Sequence, residues 1–385
     1  MLGYIVVSMA SAGEFGVTDL ITLWAGAKIA MDGGNPYDAA TLDRVYDSLP
    51  MDVGRQNRFW YPPWSLSLLI FFALFPISVL VPLWMLVNLL FSVLSVVLIF
   101  KIFHGDTIVR RAEHPRAVLL TIAVFVISCS PLAVEIKLGQ VTSIVLASLG
   151  AALFVLARRS TNMSVLAGVI LSASLLKPHL LFLVYLLVVL QIHDNAYRGL
   201  LKGFIIGALL LTLFPLVIRF DIYELFRHAA LPPFFNPTVG AWLWSLNPEH
   251  GFLRFLPAVV TAVVVSGYHL VRRIRVTSDI LVGVALPLSL ILTPYAWTYD
   301  YMLLIPTAIL TLLRAAEIGS SRLFVGVSVA LIGANLGIAF GPPEMQYSWW
   351  YPFVILFASV HTLGRWRAAA GFRKSTGVPF APISR

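Results

Sequence analysis

Seven side chains in this sequence have the type and setting to do chemistry. Asp19 stands beside the first hydrophobic segment, where a carboxylate can take a proton from a hydroxyl group arriving through water. Lys177 lies in Lys177-Pro178-His179 between two apolar runs, a place where charge is costly and tends to be retained for function. Gln140, at the end of Glu135-Ile136-Lys137-Leu138-Gly139-Gln140, carries both a donor and an acceptor for hydroxyl groups. Arg58 and Tyr61 flank the start of a Tyr61-Pro62-Pro63-Trp64 step, and His179 follows Lys177. Asp300 sits in Thr293-Pro294-Tyr295-Ala296-Trp297-Thr298-Tyr299-Asp300. Together they supply a base, cations and hydrogen-bonding groups for a hydroxylated substrate. No metal is expected. The eight histidines are scattered without ligand spacing on a helix, and the single cysteine, Cys129, lies in an apolar run. The sequence has no glycine-rich loop for ATP or a nucleotide sugar.

Each of these residues also has a plainer structural reading. Asp19, or Thr18 beside it, can cap an amphipathic helix running from about Leu20 to Ala30. Tyr61 and Trp64 suit the headgroup zone, and Arg55 and Arg58 can simply face lipid headgroups. Glu135, Lys137 and Lys177 can snorkel to an interface, and Asp300 can begin a helix. Gly33-Gly34-Asn35-Pro36-Tyr37-Asp38 reads as a turn, because glycine opens the backbone and Asn before Pro favours turn initiation. That turn is expected to be scaffold more than direct contact.

Around these residues the chain is made for a bilayer. Of its 385 residues, 59% are hydrophobic and 12% charged, with a mean hydropathy of +0.88; a soluble domain could not hide that much apolar surface. The net charge of +9 gathers in short loops between apolar runs, which marks membrane topology and no nucleic-acid partner. Spanning runs lie at about 82–103, 117–135, 140–157, 203–219, 255–271, 280–297, 300–313, 323–340 and 349–364, with shorter ones at 163–176 and 179–192.

The loops at 101–116, 158–162, 193–202, 272–278 and 314–322, with the tail from 365, hold 18 of the 27 basic residues and, counting Asp279 at the edge of one loop, five acids. The remaining nine basic and 13 acidic residues fall in the opposite loops. By the positive-inside rule the first set is cytoplasmic, and the external loops run from about 13 to 81 and from 220 to 254. Parity then makes 163–192 a hairpin with Lys177 and His179 at its outer tip. It also lays 62–80, with Pro76 inside it, along the membrane surface. The expectation is about twelve crossings. The stub Met1–Ala12 is too short for a ~30 Å hydrocarbon core, so the first helix reads as truncated.

The order of a membrane-edge Asp19, the Gly33–Asp38 turn and the Tyr61–Trp64 helix start resembles the polyprenyl-phosphate-sugar-dependent glycosyltransferases of the GT-C superfamily. It is most similar to glycosyltransferase family 87, the alpha-mannosyltransferase-like group. The resemblance runs from about Asp19 to Asp300 and rests on short motifs in a shared order.

The resemblance implies an all-α, multi-pass integral membrane protein of GT-C type. It would form one domain over 1–385, with juxtamembrane helices in the first external loop and the Gly33–Asp38 turn shaping the cover of the site. A hexose, mannose by family, would pass from a polyprenyl-phosphate donor to a glycolipid or glycan acceptor with inversion. The site would face the periplasm or exterior of the plasma membrane, with membrane lipid as the other partner and no cofactor. Asp19 would be the base and Lys177 the cation for the departing phosphate; Gln140, Tyr61, His179, Asp300 and Arg58 would touch substrate. The 220–254 loop, with Trp242 and Trp244, would choose the acceptor. One departure stands out: the family's Ser-Pro-x-Ser-Trp-x-His-His pattern here ends in Tyr299 and Asp300, which removes any histidine-assisted donor binding at those positions. A secondary transporter or lipid flippase is the main alternative on crossing number; a pyrophosphate-dependent ligase and a non-catalytic assembly protein are others.

Overall fold

The structure, a computed structural model, describes residues 18–49, 58–157, 161–229, 237–273, 275–342 and 345–376. Among these residues the protein is all-helical, with no strand. Six helices are long and apolar enough to cross a membrane: Ile77–Ile102, Pro115–Leu138, Asn195–Ile218, Gly251–Arg272, Thr298–Ile318 and Ser321–Phe340. Four other expected crossings fall on shorter apolar helices: Thr142–Leu156, Met163–Leu176, Pro178–Leu190 and Ser278–Leu292. A 15-residue helix such as Thr142–Leu156 rises about 22 Å, short of a ~30 Å core. The run expected at 349–364 opens the 27-residue helix Trp350–Thr376, whose second half carries Arg365, Arg367, Arg373 and Lys374. The N-terminal stub and Arg55 lie outside the described residues.

Two expected boundaries move, and proline explains both. The surface helix expected over 62–80 is instead a mixed 3-10 and α segment, Pro63–Leu74, followed by a break. Phe75 is extended, at φ −115° and ψ 141°, because the ring of Pro76 excludes the helical conformation for the residue before it. Pro76 therefore opens the next helix, its carbonyl accepting from the N–H groups of Val79 and Leu80. The helix expected over 280–297 likewise stops at Leu292, with Thr293 extended ahead of Pro294.

The helices that position the candidate site are α1 (Thr18–Met31), α2 (Ala39–Asp47), α3 (Ile77–Ile102), α4 (Ser130–Leu138), α5 (Thr142–Leu156), α6 (Thr161–Ser172), α7 (Asn195–Ile218) and α8 (Ile222–Arg227). By contacts the chain divides into two compact units, each drawn from separated stretches. The first takes Met1–Val93, Ala133–Pro178 and Arg198–Phe234; the second takes Leu94–Leu132, His179–Tyr197 and Phe235–Arg385. The expected hairpin over 163–192 is thus shared out, Lys177 going to the first unit and His179 to the second.

In the first unit, α1 is not the amphipathic surface helix expected. Leu20, Ile21, Leu23, Ala25, Ala27, Ile29 and Ala30 are all buried, so most of the helix is covered, and a stripe of Trp24, Lys28 and Met31 stays partly open. It packs on Pro63–Leu74 and on α2. Small residues make this possible: the Phe59 ring lies so near Gly26 that an added Cβ would be 2.3 Å from it. The pair α6 and α7 is closer still. A Cβ on Gly168 would lie 2.0 Å from the Leu200 carbonyl oxygen, and one on Gly203 would lie 1.9 Å from that of Val165. Backbone touches backbone there, the small-residue packing that substitutes for a hydrophobic drive between membrane helices.

In the second unit, Ile305–Ile318 is buried along most of its length and packs on Trp350–Thr376 and Ser321–Phe340. Arg314, counted above among loop charges, is inside this helix and largely buried. Its guanidinium donates to Asp279 (2.9 Å) and Glu317 (2.8 Å) and lies 4.3 Å from the Trp366 ring centroid. Trp366 Nε1 also donates to Glu317, at 2.9 Å.

Two stability effects follow. Gly203→Val forces α6 and α7 apart and is expected to cost about 3 kcal/mol. Arg314→Met removes the shared partner of two largely buried acids and is expected to cost about 3–5 kcal/mol. Thermal unfolding of the detergent-purified protein, compared with a substitution at exposed Val263, measures both.

Candidate active site

The candidate site is built on a reversal of the chain between α4 and α5. Helix α4 ends at Leu138, and Gly139 takes φ +68°, the left-handed conformation that closes a helix. Glycine is needed there twice over, since a Cβ would also stand 2.5 Å from Cβ of Leu20 on α1. This close approach brings Gln140 up to the neighbour of Leu20, Asp19. Gln140 Nε2 donates to Asp19 Oδ2 at 2.6 Å, and Gln140 Oε1 accepts from the Tyr61 hydroxyl at 2.7 Å. An ionised carboxylate only accepts, so the amide nitrogen must face Asp19 and the amide oxygen is left for Tyr61.

The backbone of the turn is held as firmly as its side chain. The carbonyl of Gln140 accepts from Trp84 Nε1 (3.0 Å) and Asn88 Nδ2 (3.2 Å), both on α3. Ser143 Oγ donates to Asn88 Oδ1, and the Ser143 N–H donates to Glu135 Oε1 at 3.0 Å. Glu135 is 0% and Gln140 4% exposed. Glu135 is therefore no snorkelling interfacial charge: it is an interior acid pinning the turn. Lys137 on the same helix is exposed.

Lys177 is also interior, at 5% exposed, and its Nζ donates to Thr142 Oγ1 at 2.9 Å. It ends the short 3-10 helix Ala173–Leu176 and precedes Pro178, with φ −139° and ψ 68°. Snorkelling is excluded for it as well. Trp64, expected as a headgroup anchor, donates from Nε1 to the Leu175 carbonyl at 2.8 Å and so ties the Tyr61–Trp64 step to the segment that carries Lys177.

The Gly33–Asp38 segment folds as the expected turn. Gly33 takes φ +76°, while Gly34 is required by space, since a Cβ would meet Ile29 Cγ2 at 2.8 Å. Asn35 Oδ1 accepts from the Tyr37 N–H at 3.0 Å, and Asp38 caps α2 by accepting from the Thr41 N–H at 2.8 Å. Hydrogen bonds from the Thr41 hydroxyl and N–H hold the Asp38 carboxyl below its usual range. The Tyr37 hydroxyl donates to the Tyr61 carbonyl at 3.0 Å, and burial raises its pKa well above the ordinary tyrosine value. The turn thereby supports Tyr61, and Tyr61 supports Gln140.

The other sequence candidates have partners of their own. Arg58 pairs with Asp43 at 2.9 Å. In the second unit, the His179 and Tyr295 rings are 4.0 Å apart. Asp300 is 1% exposed, and its Oδ2 accepts from the Trp297 N–H at 2.9 Å, which makes it a helix-starting acid. Trp242 is exposed, while the Trp244 ring centroid lies 5.1 Å from the Arg254 guanidinium. Among the described residues no three His, Cys, Asp or Glu side chains gather as metal ligands. Sequence reasoning missed Trp84, Asn88, Thr142 and Ser143. Asn88 had a signal: it is a polar amide in the middle of an apolar spanning run.

A family model for glycosyltransferase family 87 matches residues 59–294, more than half of the chain. The chain belongs to glycosyltransferase family 87. It is therefore a glycosyltransferase with membrane-spanning helices. The match includes Tyr61, Gln140, Lys177 and His179, while Asp19 and Asp300 lie beyond its limits. No curated protein and no solved structure matches the chain.

Gly139→Ala combines left-handed strain with the clash on Leu20. It is expected to cost about 3 kcal/mol and to lower transferase activity more than Gly33→Ala, which strains a turn with open space around it. Melting temperature and activity of the two variants, at matched expression, check this.

Proposed function

We propose that this glycosyltransferase moves a hexose, mannose by family, from a polyprenyl-monophosphate sugar to a hydroxyl group of a lipid- or glycan-linked acceptor, with inversion. The reaction would take place at the outer face of the plasma membrane, in a GT-C fold of about twelve crossings. The observation that carries the reading is the 2.6 Å hydrogen bond from the Gln140 amide to the Asp19 carboxylate, at the edge of a unit that also buries Lys177. A base must be held in one orientation to act in a displacement, and a doubly anchored amide does that.

In this reading the acceptor oxygen forms its bond to the anomeric carbon as its proton passes to Asp19. The bond from that carbon to the phosphate oxygen breaks, and the phosphate leaves with the electron pair. Lys177 lowers the energy of the charge gathering on that phosphate. Gln140 and Tyr61, proposed from sequence as sugar contacts, also orient the base, since the Gln140 amide engages Asp19 and Tyr61.

The test uses membranes from cells expressing the protein, with radiolabelled polyprenyl-phosphate mannose and a chelator. Asp19→Asn is expected to lower transfer by about 10²–10⁴-fold at wild-type expression and melting temperature. Equal transfer by the two proteins removes Asp19 as the base. No transfer by wild type, with transfer from another lipid-linked sugar, changes the donor while leaving the role of Asp19 open to the same comparison.

A further inference from the structure

We propose that Thr142 is a positioning residue for Lys177, so that one five-residue turn, 139–143, sets both the base and the cation of the transfer. The inference rests on the roles proposed above for Asp19 and Lys177. Thr142 is fully buried at the start of α5, and its hydroxyl oxygen accepts from Lys177 Nζ at 2.9 Å. Two residues earlier, Gln140 holds Asp19.

The turn between them has little freedom. Gly139 fixes one end by its positive φ and its contact with Leu20, and the Ser143 N–H fixes the other on Glu135. The Lys177 backbone is set separately: its N–H donates to the Ser174 carbonyl at 3.1 Å, and Pro178 restricts it from the other side. An ammonium on a four-carbon stem keeps several directions open even when its backbone is fixed. Each fixed acceptor removes some of them, and Thr142 supplies one from the same turn that orients the carboxylate. A shift of this turn therefore moves the partner of Asp19 and a partner of Lys177 together, which couples the proton-accepting and phosphate-binding ends of the site.

The experiment is a double-mutant cycle on the full-length protein in membranes, read as kcat/KM for a polyprenyl-phosphate sugar. Thr142→Val is expected to lower it about tenfold, the effect of losing one hydrogen bond to a charged group. Thr142→Ser, which keeps the hydroxyl, is expected to stay within about twofold of wild type. In a Lys177→Met background, Thr142→Val is expected to add no further loss. Losses that multiply across the cycle, or a serine variant as impaired as valine, overturn the proposal and make Thr142 a packing residue. A Lys177→Met protein as active as wild type overturns the cation reading itself, whatever Thr142 does, so the two failures are told apart. If valine blocks folding, Thr142→Ala takes its place in the same cycle.

Discussion

The hydrogen bond between the Gln140 amide and Asp19 is the contact on which the first unit converges. It can form only because Gly139 lets the α4–α5 turn come within van der Waals range of α1. It holds its orientation because Tyr61 engages the other end of the amide, and because Trp84 and Asn88 anchor the carbonyl of the same residue. A buried amide engaged at both its nitrogen and its oxygen is rigid, and it holds the Asp19 carboxylate in one orientation. The first-loop turn then reads as support: Tyr37 braces Tyr61, and Tyr61 braces Gln140.

The charged residues of this membrane enzyme follow one rule. Glu135, Lys177 and Arg314 sit inside the protein and each is engaged by hydrogen bonds, as low dielectric demands. Glu135 secures the turn beside the site. Arg314 gathers Asp279, Glu317 and Trp366 and so holds separate helices of the second unit together. Among the described residues, these three charges act as interior clamps.

Much of the fold was legible in the residues. Helical class and the six longest spans follow from run length and hydropathy, and the Gly33–Asp38 turn follows from Gly, Asn and Pro chemistry. What misled was one-dimensional reasoning about surroundings. Around Asp19, small residues such as Gly26 and Ala27 let neighbours close in, so a helix with a polar first turn became an interior one. Around Lys177 and Glu135, position near the end of an apolar run suggested an interface, whereas partners 35 and eight residues away in sequence drew them inward. At Arg314, position next to a charged stretch suggested a loop, and only the pairing with Asp279 reveals an interior charge. The residues named as candidates in the first unit are largely brought together, but their division of labour depends on hydrogen bonds that no spacing rule encodes.

The distance along the chain between the two halves of the clamp has a consequence for how the enzyme comes into being. Asp19 and Gln140 are 121 residues apart, and at the usual pace of synthesis the ribosome needs on the order of ten seconds to travel from one codon to the other. For that interval α1 exists without the amide that orients its acid, and without the turn that covers Leu20. A nascent chain halted anywhere before residue 140 therefore carries the carboxylate but not its holder.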